Sequence, residues 1–351
     1  MTYKINFLLI TFFVASATIF ANSDTTKTTF DLESDDPILS TIDSVMLSGY
    51  FETLGLRENF TKSTKYKYSK DSVPEFDSLT YAKRIKKLDV NSPFNLVYNG
   101  YVKAYINLYA KRRKKVTAKM LGLAPLYFPI FEENLDKYNL PLELKYLAIV
   151  ESALNPKAKS RVGATGLWQF MYETGKMYGL NVTSFHDERS DVYKATDAAC
   201  RYLRDLHKMY NNWDLALAAY NCGPGNVNKA IRRSGGKTDF WEIMGFLPRE
   251  TSGYVPAFMA VNYVMSYAEE HNIQAVKPDV SCFKVDTVGV NYHVSFTQLS
   301  EALDIPVEYL EYINPTYKHN YIPATGKANT LCLPADKIGL FLTNEETIFA
   351  Q

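Results

Sequence analysis

Cysteine and histidine are scarce in this chain, and neither is arranged as a recognisable site. The 351 residues include four Cys and five His. Four Cys without a CxxC spacing do not make a disulfide scaffold. The His residues are scattered, and the sequence has neither an HExxH motif nor a calcium-binding loop. We therefore expect no bound metal and no cofactor.

An excess of charge of one sign is also absent. The chain has 39 Lys and Arg against 38 Asp and Glu, for a net charge of +1. This near balance gives no electrostatic reason to predict binding to nucleic acid or to an anionic membrane. The enriched residues are aromatic, with 26 Tyr and 20 Phe. Tyrosine-rich surfaces suit carbohydrate, although core packing explains most such residues.

Long apolar runs are missing after the first 21 residues. Residues 1–21 have one charge, Lys4, then an apolar stretch that ends at Ala21, which is the layout of a secretory signal peptide. We predict export and cleavage after Ala21, with an uncleaved membrane anchor as the alternative. No Cys follows the stretch, so a lipid anchor is not expected. About 330 residues remain, a length that favours two domains.

Composition divides the remaining chain into three parts. Residues 22–84 are polar and weakly periodic, which predicts a partly disordered N-terminal arm without chemistry of its own. Helical periodicity then predicts a helical domain over residues 85–275, and short proline-containing segments predict a small α+β module over residues 281–340. The predicted fold class is mainly α. Helices are predicted over residues 127–138, 142–154, 192–210, 213–220 and 255–270.

Glu151 stands where an apolar residue is expected. Leu144, Leu147 and Ala148 form a stripe at i, i+3 and i+4, and Glu151 continues it at i+7. The carboxyl group therefore points toward the core, where burial without a partner raises its pKa. A raised pKa is what a general acid needs near neutral pH. The structural alternative is a Glu paired with Lys or Arg.

Two motifs lie at and just after this residue. Glu151 is followed by Ser152, and Pro156 then forces the helix to end, so that Glu151 lies in a last turn facing a cleft. Residues 163–171 (GATGLWQFM) have two glycines that can bring the backbone and the Gln169 amide close to a ligand. Alone, this second motif is better explained as a packing turn with its Trp in the core.

Two further motifs follow. Residues 219–225 (AYNCGPG) end a helix and present Tyr220 and Asn221 beside a Gly-Pro-Gly turn. Taken alone, they are also explained as a helix C-cap. Residues 250–256 (ETSGYVP) are predicted to put Tyr254 on a loop just before a helix.

In this order and spacing, the four motifs resemble those of the lytic transglycosylases with a goose-lysozyme-like (SLT) catalytic domain, most closely the membrane-bound lytic murein transglycosylase D type. The resemblance covers about residues 93–270, roughly half of the chain. It rests on Glu-Ser, Gly-Leu-Trp-Gln, Ala-Tyr-Asn and the later Gly-Tyr. Residues 185–191 also match, and we interpret them as helix capping and a surface ion pair. A lysozyme-like helical fold is implied.

The resemblance implies a reaction. These enzymes cleave the β-1,4 bond between N-acetylmuramic acid and N-acetylglucosamine in peptidoglycan and leave a 1,6-anhydromuramyl end. Because the substrate's own acetamido group attacks, a single carboxyl group suffices, and it would be Glu151. We expect no second acid in the motifs, since Glu173, Asp187 and Glu188 lie outside them.

The resemblance also implies neutral side chains around the reacting sugar. They would orient its acetamido and hydroxyl groups without lowering the pKa of the acid, as a cation would. Asn221 and Tyr254 are expected next to the reacting sugar, and Trp168 and Gln169 are expected to shape the saccharide groove. The predicted substrate-binding residues are Ser152, Trp168, Gln169, Tyr220, Asn221 and Tyr254.

The C-terminal segment contains Asn314-Pro315 and a closing Leu331-Cys332-Leu333-Pro334, and through them it resembles a LysM peptidoglycan-binding module. Its predicted elements are a helix over residues 296–303 and a closing strand over residues 329–334. It either binds glycan strands or has decayed into a module that packs on the catalytic domain. A disulfide between Cys282 and Cys332 would close a loop of about 50 residues and stabilise the module by up to a few kcal/mol.

The family resemblance also bears on location and partners. We expect a protein of the periplasm or outer envelope of a bacterium, acting as a monomer on peptidoglycan glycan strands and associated with the envelope. Two alternatives stay open. One is a goose-type lysozyme, whose products have reducing ends, and the other is a non-catalytic peptidoglycan-binding protein.

Overall fold

A computed structural model describes residues 32–56, 65–278 and 285–349. The predicted signal peptide and Cys282 lie outside these ranges. The helices are α1 (Pro37–Leu47), α2 (Tyr50–Thr53), α3 (Ser78–Asp89), α4 (Gly100–Asn107), α5 (Lys114–Lys137), α6 (Leu147–Ser152), α7 (Tyr172–Met177), α8 (Val192–Tyr210), α9 (Trp213–Cys222), α10 (Pro224–Arg233), α11 (Phe240–Ile243), α12 (Arg249–Ser266), α13 (Phe296–Leu303), α14 (Val307–Ile313) and α15 (Ala335–Phe349). The strands are β1 (Val285–Val290), β2 (Val294–Ser295), β3 (Tyr321–Ile322) and β4 (Asn329–Pro334). In this described part of the chain, no helix combines the length and apolar character needed to cross a membrane.

The mainly helical fold class is confirmed, and α12 lies at the centre of the helical domain. Its residues from Tyr254 to Val264 are all buried. A helix that is buried all round must be surrounded by other elements. Those that pack on α12 include α1, α3, α4, α6 and α9. This central position fixes the side chains on the first turns of α12 relative to their neighbours.

The predicted helix over residues 192–210 is confirmed to the residue, and the Asp191 side chain caps it. The prediction for residues 142–154 is only partly right. There a 3₁₀ turn, Leu142–Tyr146, precedes the short α6. The predicted start of α12 is wrong by six residues, because Pro248 rather than Pro256 stands at its beginning. Tyr254 therefore lies inside a helix and not on a loop.

The prediction of a partly disordered N-terminal arm missed α1, α2 and α3, which begin within the described residues of this segment. Asp36 caps α1 through its side chain, and Pro37 occupies the first helical position, where a missing N–H costs nothing. One face of α1 packs against α6 and α12. The other face is polar, so the overall composition of this segment does not indicate an amphipathic helix. The buried side chains are Ile38, Leu39, Ile42 and Val45.

The C-terminal module has its own core between strands and helices. β1 pairs with β4 in antiparallel register, from Val285 opposite Pro334 to Val290 opposite Asn329, and β2 pairs with β3. The predicted bounds of α13 and β4 are confirmed. The module extends beyond the predicted end at residue 340, because α15 runs to residue 349 and buries Phe341 and Ile348.

The module packs directly on the helical domain. The Tyr312 hydroxyl of α14 lies 2.5 Å from the Tyr127 hydroxyl of α5, and both side chains are buried. Lys157 forms an ion pair with Glu311 at 2.7 Å. Cys332 has a free thiol in the structure. Because Cys282 lies outside the described residues, the disulfide stays a prediction.

Candidate active site

A cavity of about 410 Å³ lies in the helical domain, and residues from all four sequence motifs line it. Its walls come from the first turns of α1 and α12, the end of α6, the loop before α7 and the end of α9. The structure thus brings together residues that are more than 100 positions apart in the chain. Of the predicted site residues, those that line the cavity are Glu151, Gln169, Tyr220, Asn221 and Tyr254.

Glu151 lies in the last turn of α6, at the wall of the cavity. The helix ends at Ser152 because Ala153 and Leu154 adopt left-handed backbone conformations, with φ of 50° and 64°. The Tyr50 hydroxyl donates to the Leu154 carbonyl at 2.6 Å and fixes this turn from outside. The Glu151 side chain is therefore held at a helix end, half-buried beside an open space.

The environment of Glu151 raises the pKa of its carboxyl group to about 7. Burial is the main cause, because it penalises the charged form. The hydrogen bond from Tyr254 lowers the pKa, and the negative charge of Glu250 raises it. Near neutral pH, both protonation states of this carboxyl group are therefore populated.

Tyr254 is the direct partner of this carboxyl group. Its hydroxyl donates to Glu151 Oε1 from the second turn of α12. Burial and the charge of Glu151 raise the pKa of Tyr254 well above its usual value. The phenol therefore stays protonated and acts as a hydrogen-bond donor to the carboxylate.

Tyr220 and Asn221 line the cavity from the end of α9. The Tyr220 hydroxyl donates to the Trp168 carbonyl at 2.8 Å. Asn221 Oδ1 accepts from Thr251 Oγ1 at 2.7 Å. The amide NH₂ of Asn221 is the donor that this side chain can still offer to a ligand.

Gln169 is held by its own loop. Its backbone is left-handed, with φ of 47°, and its Nε2 donates to the carbonyls of Gly166 and Ala158 at 2.9 and 3.2 Å. These bonds use the donor end of the side chain and leave Oε1 as the group to meet a ligand. The loop thus offers a hydrogen-bond acceptor at the cavity wall.

Trp168 and Ser152 do not line the cavity, and the prediction that they contact substrate is wrong in this structure. The Trp168 ring is fully buried, donates from Nε1 to Thr196 at 2.9 Å and packs edge-on against Phe131. Ser152 is also fully buried, and its Oγ donates to the carbonyls of Ala148 and Leu167 at 3.0 Å. Both residues support the cavity wall from behind.

The expectation that the motifs contain no second acid overlooked Glu250. This residue opens the fourth motif, is exposed and lines the cavity. Pro37, Ile38 and Thr41 of α1 also line the cavity and were missed. An Asp-Pro pair before apolar residues at helical spacing was the available sequence signal for α1.

The cavity walls have no cationic side chain among the described residues. Glu151 and Glu250 are their only charged members, and the rest are neutral polar or apolar. A nearby cation would stabilise the carboxylate and lower its pKa. The cavity therefore keeps an acid partly protonated and surrounds it with groups that suit a neutral, hydroxyl-rich ligand.

Comparisons with known proteins match two parts of the chain to protein families. Residues 128–243 match the protein family described as Transglycosylase SLT domain, and residues 284–350 match the one described as Lytic transglycosylase MltD, LysM-like domain. The chain is 36% identical over 197 residues to Membrane-bound lytic murein transglycosylase D of Escherichia coli K12, covering 55% of this chain and 43% of that protein.

Two more distant similarities were found. Soluble lytic murein transglycosylase of E. coli K12 is 35% identical over 127 residues, covering 34% of this chain and 20% of that protein. The solved 70-kDa soluble lytic transglycosylase of E. coli aligns with a TM-score of 0.38 and 21% identity, covering 66% of this chain and 43% of that one. The chain thus spans less than half the length of these relatives. Its residues 128–243 belong to the transglycosylase SLT domain family, and its residues 284–350 belong to the LysM-like domain family of lytic transglycosylase MltD.

Proposed function

We propose that this protein is a peptidoglycan lytic transglycosylase with Glu151 as its single general acid and base. The observation that carries the proposal is a half-buried carboxyl group with a pKa of about 7 at the wall of a cavity that all four family motifs line. The domain matches and the lytic murein transglycosylase relatives support the same reaction.

The proposed reaction has two steps. In the first, protonated Glu151 gives its proton to the glycosidic oxygen as the bond from that oxygen to C1 of the muramic sugar breaks, and the acetamido oxygen of the same sugar attacks C1. In the second, the 6-hydroxyl oxygen attacks C1, the acetamido oxygen leaves, and the Glu151 carboxylate takes the hydroxyl proton. Glu151 ends protonated, no water is consumed, and the product has a 1,6-anhydro ring.

The neighbours of Glu151 have separate proposed roles in stabilising its carboxylate, binding the sugar and holding the cavity wall. The Tyr254 hydroxyl stabilises the carboxylate that exists between the two steps, since hydrogen bonds to a charged acceptor are stronger than neutral ones. The Asn221 NH₂ and the Gln169 Oε1 are a donor and an acceptor for the acetamido and hydroxyl groups of the sugar. Tyr220, whose hydroxyl is bonded to the loop backbone, holds the cavity wall.

Hydrolysis is the second candidate, and Glu250 is the observation that favours it. A second carboxyl group at the same cavity can act as a base for water in a two-carboxylate mechanism. Its exposure argues for the weaker role of a negative charge that raises the pKa of Glu151. The distinction between the two reactions lies in the product.

Location and partners extend the same proposal. Residues 1–21 are proposed to be a signal peptide that directs export to the periplasm or outer envelope. A relative named membrane-bound supports an envelope association. The protein is proposed to act as a monomer on peptidoglycan glycan strands, without nucleic acid. The C-terminal module is proposed to bind glycan as well as to pack on the helical domain.

Product analysis tests the proposal directly. The mature protein is incubated with purified peptidoglycan, and the soluble muropeptides are examined by mass spectrometry. Products lighter by one water than the hydrolytic ones are expected. Reducing ends would make the protein a lysozyme, and an absence of products alongside retained sedimentation with peptidoglycan would make it a binding protein.

Thiol counting on unreduced, denatured protein tests the predicted disulfide between Cys282 and Cys332, and four free thiols would refute it.

A further inference from the structure

The segment Phe185–Arg189 contains an ion pair that was expected at the surface and is instead buried. Asp187 and Arg189 are 8% and 6% exposed. Arg189 Nε and Nη2 donate to the two oxygens of Asp187 at 2.9 and 2.6 Å. A bidentate pair of this kind fixes the guanidinium plane as well as its position. The surface interpretation is therefore wrong, and the pair needs a structural reason for its burial.

The third nitrogen of Arg189 holds the cavity loop at both ends. Nη1 donates to the Gly163 carbonyl at 2.8 Å and to the Phe170 carbonyl at 3.1 Å. Between them, Gly166 lies against the Arg189 backbone so closely that an added Cβ would come within 1.9 Å of the Arg189 carbonyl oxygen. One arginine thus holds both ends of the loop that carries Gln169.

The opposite side of the same segment is held by the C-terminal module. The Asp187 N–H donates to the Thr316 carbonyl at 2.8 Å, and the Lys318 N–H donates to the Phe185 carbonyl at 2.9 Å. The His186 ring lies 4.7 Å from the Tyr317 ring. Lys318 Nζ adds a hydrogen bond to the carbonyl of a preceding loop residue, Thr183, at 2.5 Å.

We propose that the Asp187–Arg189 pair is a positioning element for the loop of residues 163–170, and that residues 316–318 of the module hold this pair in place. The module then contributes to substrate affinity through the cavity wall, in addition to any glycan that it binds itself. The kinetic part of this inference rests on the proposed function. The structural part does not.

Three variants of the full chain separate this role from general stability. Arg189→Lys keeps the charge next to Asp187 but cannot reach both loop carbonyls, because it has no planar fork. The double variant His186→Ala/Lys318→Ala removes side-chain contacts with the module and leaves the ion pair intact. Lys194→Gln is the matched control, since Lys194 pairs with Glu188 of the same segment at 2.5 Å but lies exposed.

Hydrogen–deuterium exchange is the first test, and it requires no substrate. The amides of Gly166 and Phe170 donate across the loop, to Ala158 and Thr165, and are protected while the loop is ordered. Both test variants are expected to increase exchange in residues 163–170 about fivefold or more, with α12 unchanged and Lys194→Gln like wild type. Equal loop exchange in the double variant and the control would overturn the role of the module.

Steady-state kinetics on soluble peptidoglycan fragments is the second test. Loss of loop position should raise KM by roughly two- to tenfold, the range for one lost hydrogen bond, with kcat and its pH dependence unchanged. A lower kcat at constant KM would overturn the positioning role, because partial unfolding gives that result. If wild type yields no product, the proposed function fails, and the exchange data alone decide the inference.

Discussion

Two carboxyl groups of this protein have the same perturbed pKa in two different surroundings. Glu151 lies at the cavity wall, and Asp214 lies in the first turn of α9, 5% exposed. The pKa of each is raised to about 7, and burial is the main cause in both. The charges of Asp239 and Asp89 add to the effect at Asp214.

The two residues differ in access and in hydrogen bonding. Glu151 faces open space and accepts from the Tyr254 hydroxyl. Asp214 Oδ1 is buried without a hydrogen-bond partner among the described residues. A raised pKa alone therefore does not identify a catalytic acid. Our proposal that Glu151 is the acid therefore rests also on the cavity that it lines and on the Tyr254 hydroxyl that donates to its carboxylate.

The largest effect should come from removing the acid at the cavity. Glu151→Gln is expected to lower turnover of peptidoglycan by about 10³-fold, within the range for general acid–base catalysis, because an amide cannot transfer the proton. Asp214→Asn serves as the matched control and should retain wild-type turnover. Anhydro-product formation measures both. Nonzero, equal turnover in Glu151→Gln and wild type would refute the assignment.

Asp214→Asn should instead change stability. Because the folded-state pKa is raised from 3.8 to about 7, the folded protein binds more protons than the unfolded chain between these values. Stability is therefore lost as pH rises from about 4 to 7. At pH 8 the Asn variant should be more stable by roughly 4 kcal/mol, because each pH unit between the two pKa values is worth about 1.4 kcal/mol, and this gain should vanish near pH 4.

Urea denaturation at both pH values measures this difference. Glu173→Gln is the control, because Glu173 is exposed on α7. A gain of the same size at both pH values would show that Asp214 is not protonated in the folded state.

Tyr254→Phe should shift the pH profile of Glu151 upward. The lost hydrogen bond favours the carboxylate, so its removal raises the pKa. The alkaline limb of kcat should move to higher pH, and the maximum should fall about tenfold, the cost of one hydrogen bond to a charged group. An unshifted limb would mean that Tyr254 does not contact the acid in the enzyme–substrate complex.

Glu250→Gln should produce the smallest shift, in the opposite direction. Removing a negative charge that raises the pKa of Glu151 moves the alkaline limb to lower pH. Since Glu250 is exposed, the shift should be less than about one pH unit and should shrink with added salt. A collapse of turnover comparable to that of Glu151→Gln would instead indicate a two-carboxylate hydrolase.

The sequence predicted the inward position of Glu151 and part of its helix because both depend on local spacing. The stripe through Leu144, Leu147 and Ala148 requires only the helical period, and α8 and α13 follow from caps and periodicity in the same way. The match of four motifs predicted that Tyr254 lies at the site. Tyr254 is 103 positions from Glu151, and no local sequence pattern relates residues so far apart.

The errors arose where tertiary packing decides. Trp168 stands beside Gln169 in one motif, yet its ring turns into the core while Gln169 lines the cavity. An irregular loop has no helical or strand periodicity, so the sequence does not show which of two adjacent side chains is buried and which lines the cavity. The prediction for residues 22–84 rested on their polar composition and missed the short apolar stripe of α1. Composition does not distinguish the apolar face of a helix from its polar face.

The hydrogen bond from Tyr50 to Leu154 has a consequence for the order of folding. It joins positions 104 residues apart, and α1 also packs on α12, which begins about 200 residues after α1 ends. Contacts of such sequence separation form slowly, because the intervening chain must first be brought together. In the described part of the chain, α1 is the first helix to be synthesised, and it is thus among the last to find its partners, so the cavity wall that it completes closes late.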